Sequence, residues 1–284
     1  MTMRRSGRKR ENPATCWNPV RNSMLRTNSR RFASFTRVWA GRFGPHTALL
    51  VPPSPQRNMS QRPDTKVDRD IGPLRETVLR MARLSEAILD KSLQAIWERD
   101  PALSLEVKAD DIAIDRLDVE IDHTVLRILA LDAPVASDLR LVVAVKSIAT
   151  DLERVGDIAR NIAGCARRLS EVPEIGLPPE LHSLADDSRA ALRNAVQSFA
   201  DLDPDAARNV LEADDKIDEK EDELIRSSIN RLEDEPDETR QQIDLIFVAQ
   251  HLERIGDHAT NIAEEVVLAA EATNLKHSGK LGTQ

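Results

Sequence analysis

The chain has 284 residues, 31% of them charged, with three Trp, five Phe and no Tyr. No run approaches the roughly 18 consecutive apolar residues of a membrane span, so a transmembrane helix is excluded. Residues 1–58 carry 12 Lys and Arg against one acid, and residues 59–284 carry 28 against 47; a body of net charge −19 would repel the phosphate backbone of nucleic acid.

The basic segment 1–58 is rich in Arg, Ser, Asn and Pro and shows neither helical nor strand periodicity. Its longest apolar stretch, 48–51, is too short for the core of a signal peptide. A basic arm, an acid-poor targeting peptide, a disordered leader or translation ahead of a start at Met59 are the alternatives. With no motif beside the charge, the last two are preferred. Cys16 and Cys165 form no CxxC and no disulfide framework, so nothing demands an oxidising compartment and a cytoplasmic location is expected.

From residue 70 every segment reads as helix. Leu74, Val78, Met81, Ile88 and Ile96 predict a first helix over 73–97. Asp100-Pro101 supplies an N-cap and an N1 proline for a second over 101–131. Asp132-Ala133-Pro134 ends it, and a third runs from 137 to about 168. The Pro/Gly-rich segment 171–179 is a linker. The order then restarts: a fourth helix over 180–200, Asp203-Pro204, a fifth to about 232, a break at 233–236, and a sixth over 237–272. Residues 273–284 are a polar tail.

The restart is a duplication. D-L-E-R-V-G-D-I-A-R-N-I-A at 151–163 returns as H-L-E-R-I-G-D-H-A-T-N-I-A at 251–263. Asp111, Asp115 and Asp118 return, 103 positions later, as Asp214, Asp218 and Glu221. The expected fold is all-α: two tandem three-helix bundles, 70–170 and 180–272, related by internal repetition. What recurs is polar, whereas packing alone would keep only the apolar period. The repeat therefore indicates a site built twice.

Residues four apart on a helix share a face, with Cβ atoms about 5–6 Å apart. Asp111/Asp115, Glu153/Asp157, Asp214/Asp218 and Glu253/Asp257 are thus four like-charged pairs, each mildly destabilising on a bare helix. If the second and third helices of each half face one another, four oxygen ligands converge, a set that suits a hard cation. The competing reading is a solvated face with local ion pairs. It accounts in part for the first half, where Arg160 lies three after Asp157, but Thr260 holds that position in the second. Gly156 and Gly256 are expected to let the helices approach closely. His251 and His258 have no counterparts in the first half and are read as incidental. No phosphate-cradling loop, H-E-x-x-H or ferritin-type E-x-x-H is present.

E-R-V-G-D-I-A at 153–159, E-R-I-G-D-H-A at 253–259 and A-S-D-L-R-L-V-V at 136–143 resemble the PhoU family of phosphate-uptake regulators, over about 74–270. The resemblance implies paired three-helix bundles and metal ions, iron or another divalent cation, held by Asp111, Asp115, Glu153 and Asp157 in one half and Asp214, Asp218, Glu253 and Asp257 in the other. It implies no catalytic residue and no enzyme. It implies a negative regulator between a phosphate ABC transporter and a phosphate-sensing histidine kinase; a homodimer, reaching the membrane only through partners, is expected. Glu238 stands where the first half has Asp138, a mild departure. The alternatives are a carboxylate-bridged di-metal enzyme, which the missing E-x-x-H motifs disfavour, and a metal-free helical adaptor.

Overall fold

The computed structural model describes residues 66–275. The expectations for residues 1–58 and for the end of the chain beyond 275 lie outside them. Among the described residues seven helices follow in order: α1 (Lys66–Trp97), α2 (Pro101–Leu131), α3 (Ser137–Ser170), α4 (Pro179–Asp201), α5 (Pro204–Ala213), α6 (Asp215–Asp234) and α7 (Thr239–Glu271), with a short 3-10 helix at Pro236–Glu238 before the last. Helices α1–α3 pack on one another as one bundle, α4–α7 as a second, and α3 lies along α7 between them.

The same turn is made twice. Arg99 and Leu202, 103 positions apart, both take left-handed backbone, with φ of 53° and 51°. Each is followed by an aspartate whose carboxylate accepts from the next helix's free N–H groups. Asp100 accepts from Ala102 at 2.8 Å, and Asp203 from Asp205 and Ala206 at 2.9 and 3.1 Å. A proline then opens the helix, where its missing N–H costs nothing. At the first turn the Arg99 guanidinium also donates to the Leu169 and Val172 carbonyls, both at 2.6 Å, which ties α1 to the end of α3.

Two boundaries differ from expectation. α1 begins at Lys66, with Pro73 inside it. A proline reads as a start because it has no N–H to donate to the preceding turn's carbonyl. Here tertiary contacts carry the helix through it: Ile71 is buried in the core, and Asp70 pairs with Arg127 of α2 at 3.0 Å. The fifth expected helix is divided at Asp214. That residue keeps helical torsions (φ −62°, ψ −44°) but the hydrogen-bond ladder is interrupted there. Asp214, Asp215 and Asp218 crowd three carboxylates into about one turn, and Asp is a weak former of helix interiors.

The core runs through both bundles without a break. α3 buries Val145, Ile148, Leu152, Val155, Ile158 and Ile162; α7 buries Leu245, Val248, Leu252, Ile255, Ile262 and Val266. Both helices are apolar around most of their circumference because each faces its own bundle and the other helix. Among the described residues, polar contacts cross this seam at two places. The His258 imidazole hydrogen-bonds the Asp151 carboxylate (Nδ1–Oδ1 2.9 Å), with the Asn261 amide donating to the same oxygen at 3.3 Å. Arg168 donates from Nε to Asp244 at 2.7 Å. Reading His258 as incidental is therefore corrected: it joins the two halves.

Candidate metal centres

Gly156 sets the first site. A Cβ built there would lie 2.9 Å from Asp111 Oδ1 and 3.0 Å from Ile114 Cδ1, so only glycine admits α2 this close to α3. The approach buries Asp111 to 2% exposure. A lone carboxylate there would carry a large desolvation cost. Arg160 of α3 meets it: one guanidinium nitrogen lies 2.5 Å from Asp111 Oδ2 and the other 2.6 Å from Asp157 Oδ1. A second cation, Lys146, bridges Asp118 at 3.1 Å and Asp122 at 2.5 Å on α2. Arg154 stands 3.5 Å from Glu153 and 3.6 Å from Asp157. Burial raises the Asp111 carboxyl above its usual range against the opposing pull of Arg160. Glu153 is raised by burial and then by Asp157.

The second site has the same frame and different charges. A Cβ at Gly256 would sit 3.0 Å from Ile217 Cδ1 and 3.4 Å from Asp214 Oδ1. Thr260 replaces Arg160, and its hydroxyl donates to the backbone carbonyl of Asp257 at 2.7 Å. Ile246 replaces Lys146. Among the described residues no ion pair reaches Asp214, Asp218, Glu253 or Asp257. Burial, then Asp218 and Asp257, push Asp214 up to about 6. Burial, then Asp257, Asp218, Glu221 and Asp214, push Glu253 up to about 7. Asp218 and Glu221 are raised in the same way.

The structure thus brings all eight expected residues onto two α-helical faces, one per half. Among the described residues no three His, Cys, Asp or Glu groups are already gathered around one point. The two donor sets differ in how they fit a metal ion. The second is all oxygen, shares one negative field and contains no cation, which suits a hard metal ion. The first has a guanidinium on its most buried oxygen and does not fit one as it stands. Sequence reading placed Arg160 beside Asp157 but missed its reach to Asp111. It also missed Lys146, whose signal was present: a cation at 146 and an isoleucine at 246. A cavity of about 460 Å³ bounded by Arg168, Glu171, Arg240, Asp244 and Phe247 lies elsewhere, and none of the eight residues lines it.

A family model described as PhoU domain matches residues 78–166 and again 181–266. A phosphate-specific transport system accessory protein PhoU homolog of Zymomonas mobilis is 36% identical over 203 residues, covering 72% of this chain and 86% of that one. The homolog of Aquifex aeolicus is 34% identical over 212 residues, 75% of this chain and 96% of that one. The crystal structure of PhoU from Pseudomonas aeruginosa superposes with a TM-score of 0.71 at 30% identity, over 73% of this chain and 100% of that one. The phosphate transport system regulatory protein PhoU from Streptococcus pneumoniae gives 0.69 at 26% identity, over 74% and 99%.

Proposed function

The chain belongs to the PhoU family, and on that premise we propose that it is a cytoplasmic negative regulator of phosphate uptake. It links a phosphate ABC transporter to a phosphate-sensing histidine kinase and carries out no catalysis of its own. The observation that carries this reading is the doubled PhoU domain, which spans nearly all of the described helices. Metal enters the same proposal at the second carboxylate cluster. Asp214, Asp218, Glu253 and Asp257 would hold a divalent cation such as manganese(II) or iron(II), which would supply the positive charge that the cluster lacks. Asp218 and Asp257 are exposed, which supports a regulatory surface more than an enclosed reaction centre. Clean deletion should derepress phosphate-starvation genes in high phosphate, measured as transcript level; unchanged expression would count against the assignment.

Self-association is part of the reading. Leu105, Ile112, Val119 and Leu126 of α2 recur every seven residues and are 66%, 48%, 56% and 64% exposed. The matching positions of the second half are Arg208, Asp215, Asp222 and Ile229. A seven-residue apolar period is what a seam between two helices requires, and the first half alone keeps it. Sedimentation should give a dimer that Ile112→Asp dissociates; a monomeric wild-type chain would remove this element.

A further inference from the structure

We propose that the first carboxylate cluster is filled by a side chain of the protein itself: Arg160 is its resident cation, and a metal ion is excluded from that half. The inference rests on the metal reading above only for what it expects of the second half.

Three observations carry it. The guanidinium holds the most buried carboxylate of the cluster, Asp111, and one of α3's two, Asp157, at 2.5 and 2.6 Å. These oxygens are the ones an incoming metal would need. Lys146 holds the adjoining pair, Asp118 and Asp122, so the row is neutralised at both ends. The second half shows what the same frame looks like without them. Thr260 is too short to cross to Asp214 and bonds its own helix, and Ile246 carries no charge. Lys220, on α6 with Asp218, is engaged by Ser183 and Asp187.

A tethered cation competes with a free one on unequal terms. Arg160 is attached to α3 and already aligned, so its effective concentration at Asp111 is on the order of millimolar or higher. A metal ion must pay its own dehydration and also eject this partner. Two sites of common origin therefore have different jobs. The first is a permanent clamp between α2 and α3; the second answers to the metal supply.

The swap of the two side chains tests this. The full chain, made without a histidine tag, is stripped with chelator, reloaded with Mn²⁺ or Fe²⁺ alone, gel-filtered and analysed for metal. Wild type should carry metal that Glu253→Gln with Asp257→Asn removes. Arg160→Thr should take up additional metal, and that increment should vanish when Asp111→Asn is added. Thr260→Arg should lose metal. In chelated protein, Arg160→Thr should lower the melting temperature by several degrees and Thr260→Arg should raise it. Metal in wild type that is lost in part on Glu153→Gln with Asp157→Asn would overturn the inference while leaving the metal reading standing. No added metal in Arg160→Thr would overturn it as well. Uptake by Arg160→Thr beside a metal-free wild type would support the inference and refute the metal reading of the second half. Thr260→Arg keeps the test decisive if Arg160→Thr fails to fold, because full metal content in Thr260→Arg would show that this position cannot close a cluster.

Discussion

Gly156→Leu should destabilise the protein by about 3 kcal/mol, through overpacking that forces α2 away from α3. For a folded region of this size that is a fall in melting temperature of roughly 10 °C. The cause is local and specific: the first side-chain atom would already press on Asp111 Oδ1 at 2.9 Å and Ile114 Cδ1 at 3.0 Å. Neither neighbour is free to yield, since Ile114 is fully buried and Asp111 is held by Arg160. Gly164, two turns further along the same helix, is the control. A Cβ there would meet only an Arg168 nitrogen at 3.7 Å, the tip of a flexible side chain. Gly164→Ala should therefore raise stability by up to about 1 kcal/mol, as glycine in a helix interior does when replaced. Calorimetry on both variants checks the pair. Gly156→Leu melting with wild type would mean that the helices have room, and that the close approach has no part in setting the site.

The helices were legible because their signals are local. Asp100-Pro101 and Asp203-Pro204 announce a cap and a first turn within two residues, and both turns form as read. The failures have a common source, which is contact with another helix. Pro73 reads as a boundary until Ile71 and Asp70 are seen to be held from α2 and the core. His258 reads as a stray substitution until Asp151 of α3 stands 2.9 Å away. Arg160 reads as the partner of Asp157 because helical spacing reports only the helix it is counted on. Its bond to Asp111 depends on the distance between α2 and α3, which Gly156 sets and no periodicity records.

The second large effect is expected from Glu253→Gln with Asp257→Asn. In metal-free protein, Glu253 is pushed up to about 7 and Asp214 to about 6, by burial first and by one another's neighbours second. A carboxyl raised in the folded state binds its proton more tightly there than in the unfolded chain. Folding is therefore disfavoured above those values, and stability grows as pH falls through 7 and then 6 toward the ordinary carboxylate range. The melting temperature of chelated wild type should thus rise on going from about pH 8 to about pH 5.5. The double variant should begin higher at the alkaline end and rise less. It removes Glu253's own titration and one of the charges that raise Asp214, and leaves the weaker contribution of Asp111 and Glu153. Saturating Mn²⁺ should do for wild type at about pH 7.5 what protons do at lower pH, since a ligand bound only to the folded state stabilises it by mass action. The variant should lose that increment. A pH slope and a metal response identical to wild type would leave these carboxylates as an ordinary solvated face.

The seam between α3 and α7 has the geometry of two like surfaces meeting, but its polar contacts are not interchangeable. Were two copies of the first half to meet as α3 and α7 do, Asp151 would face Ile158 where it now faces His258, and Arg168 would face Ala144 where it now faces Asp244. Two copies of the second half would set His258 against His251, and Asp244 against Leu268. The first pairing would leave Asp151 with an Asn161 amide but no imidazole, and the second would set Asp244 against a leucine without its guanidinium, each at a cost of about 1–3 kcal/mol. Neither half supplies both partners of these contacts by itself. Each half is the other's complement, and a seam between two identical halves would need changes on both of its sides.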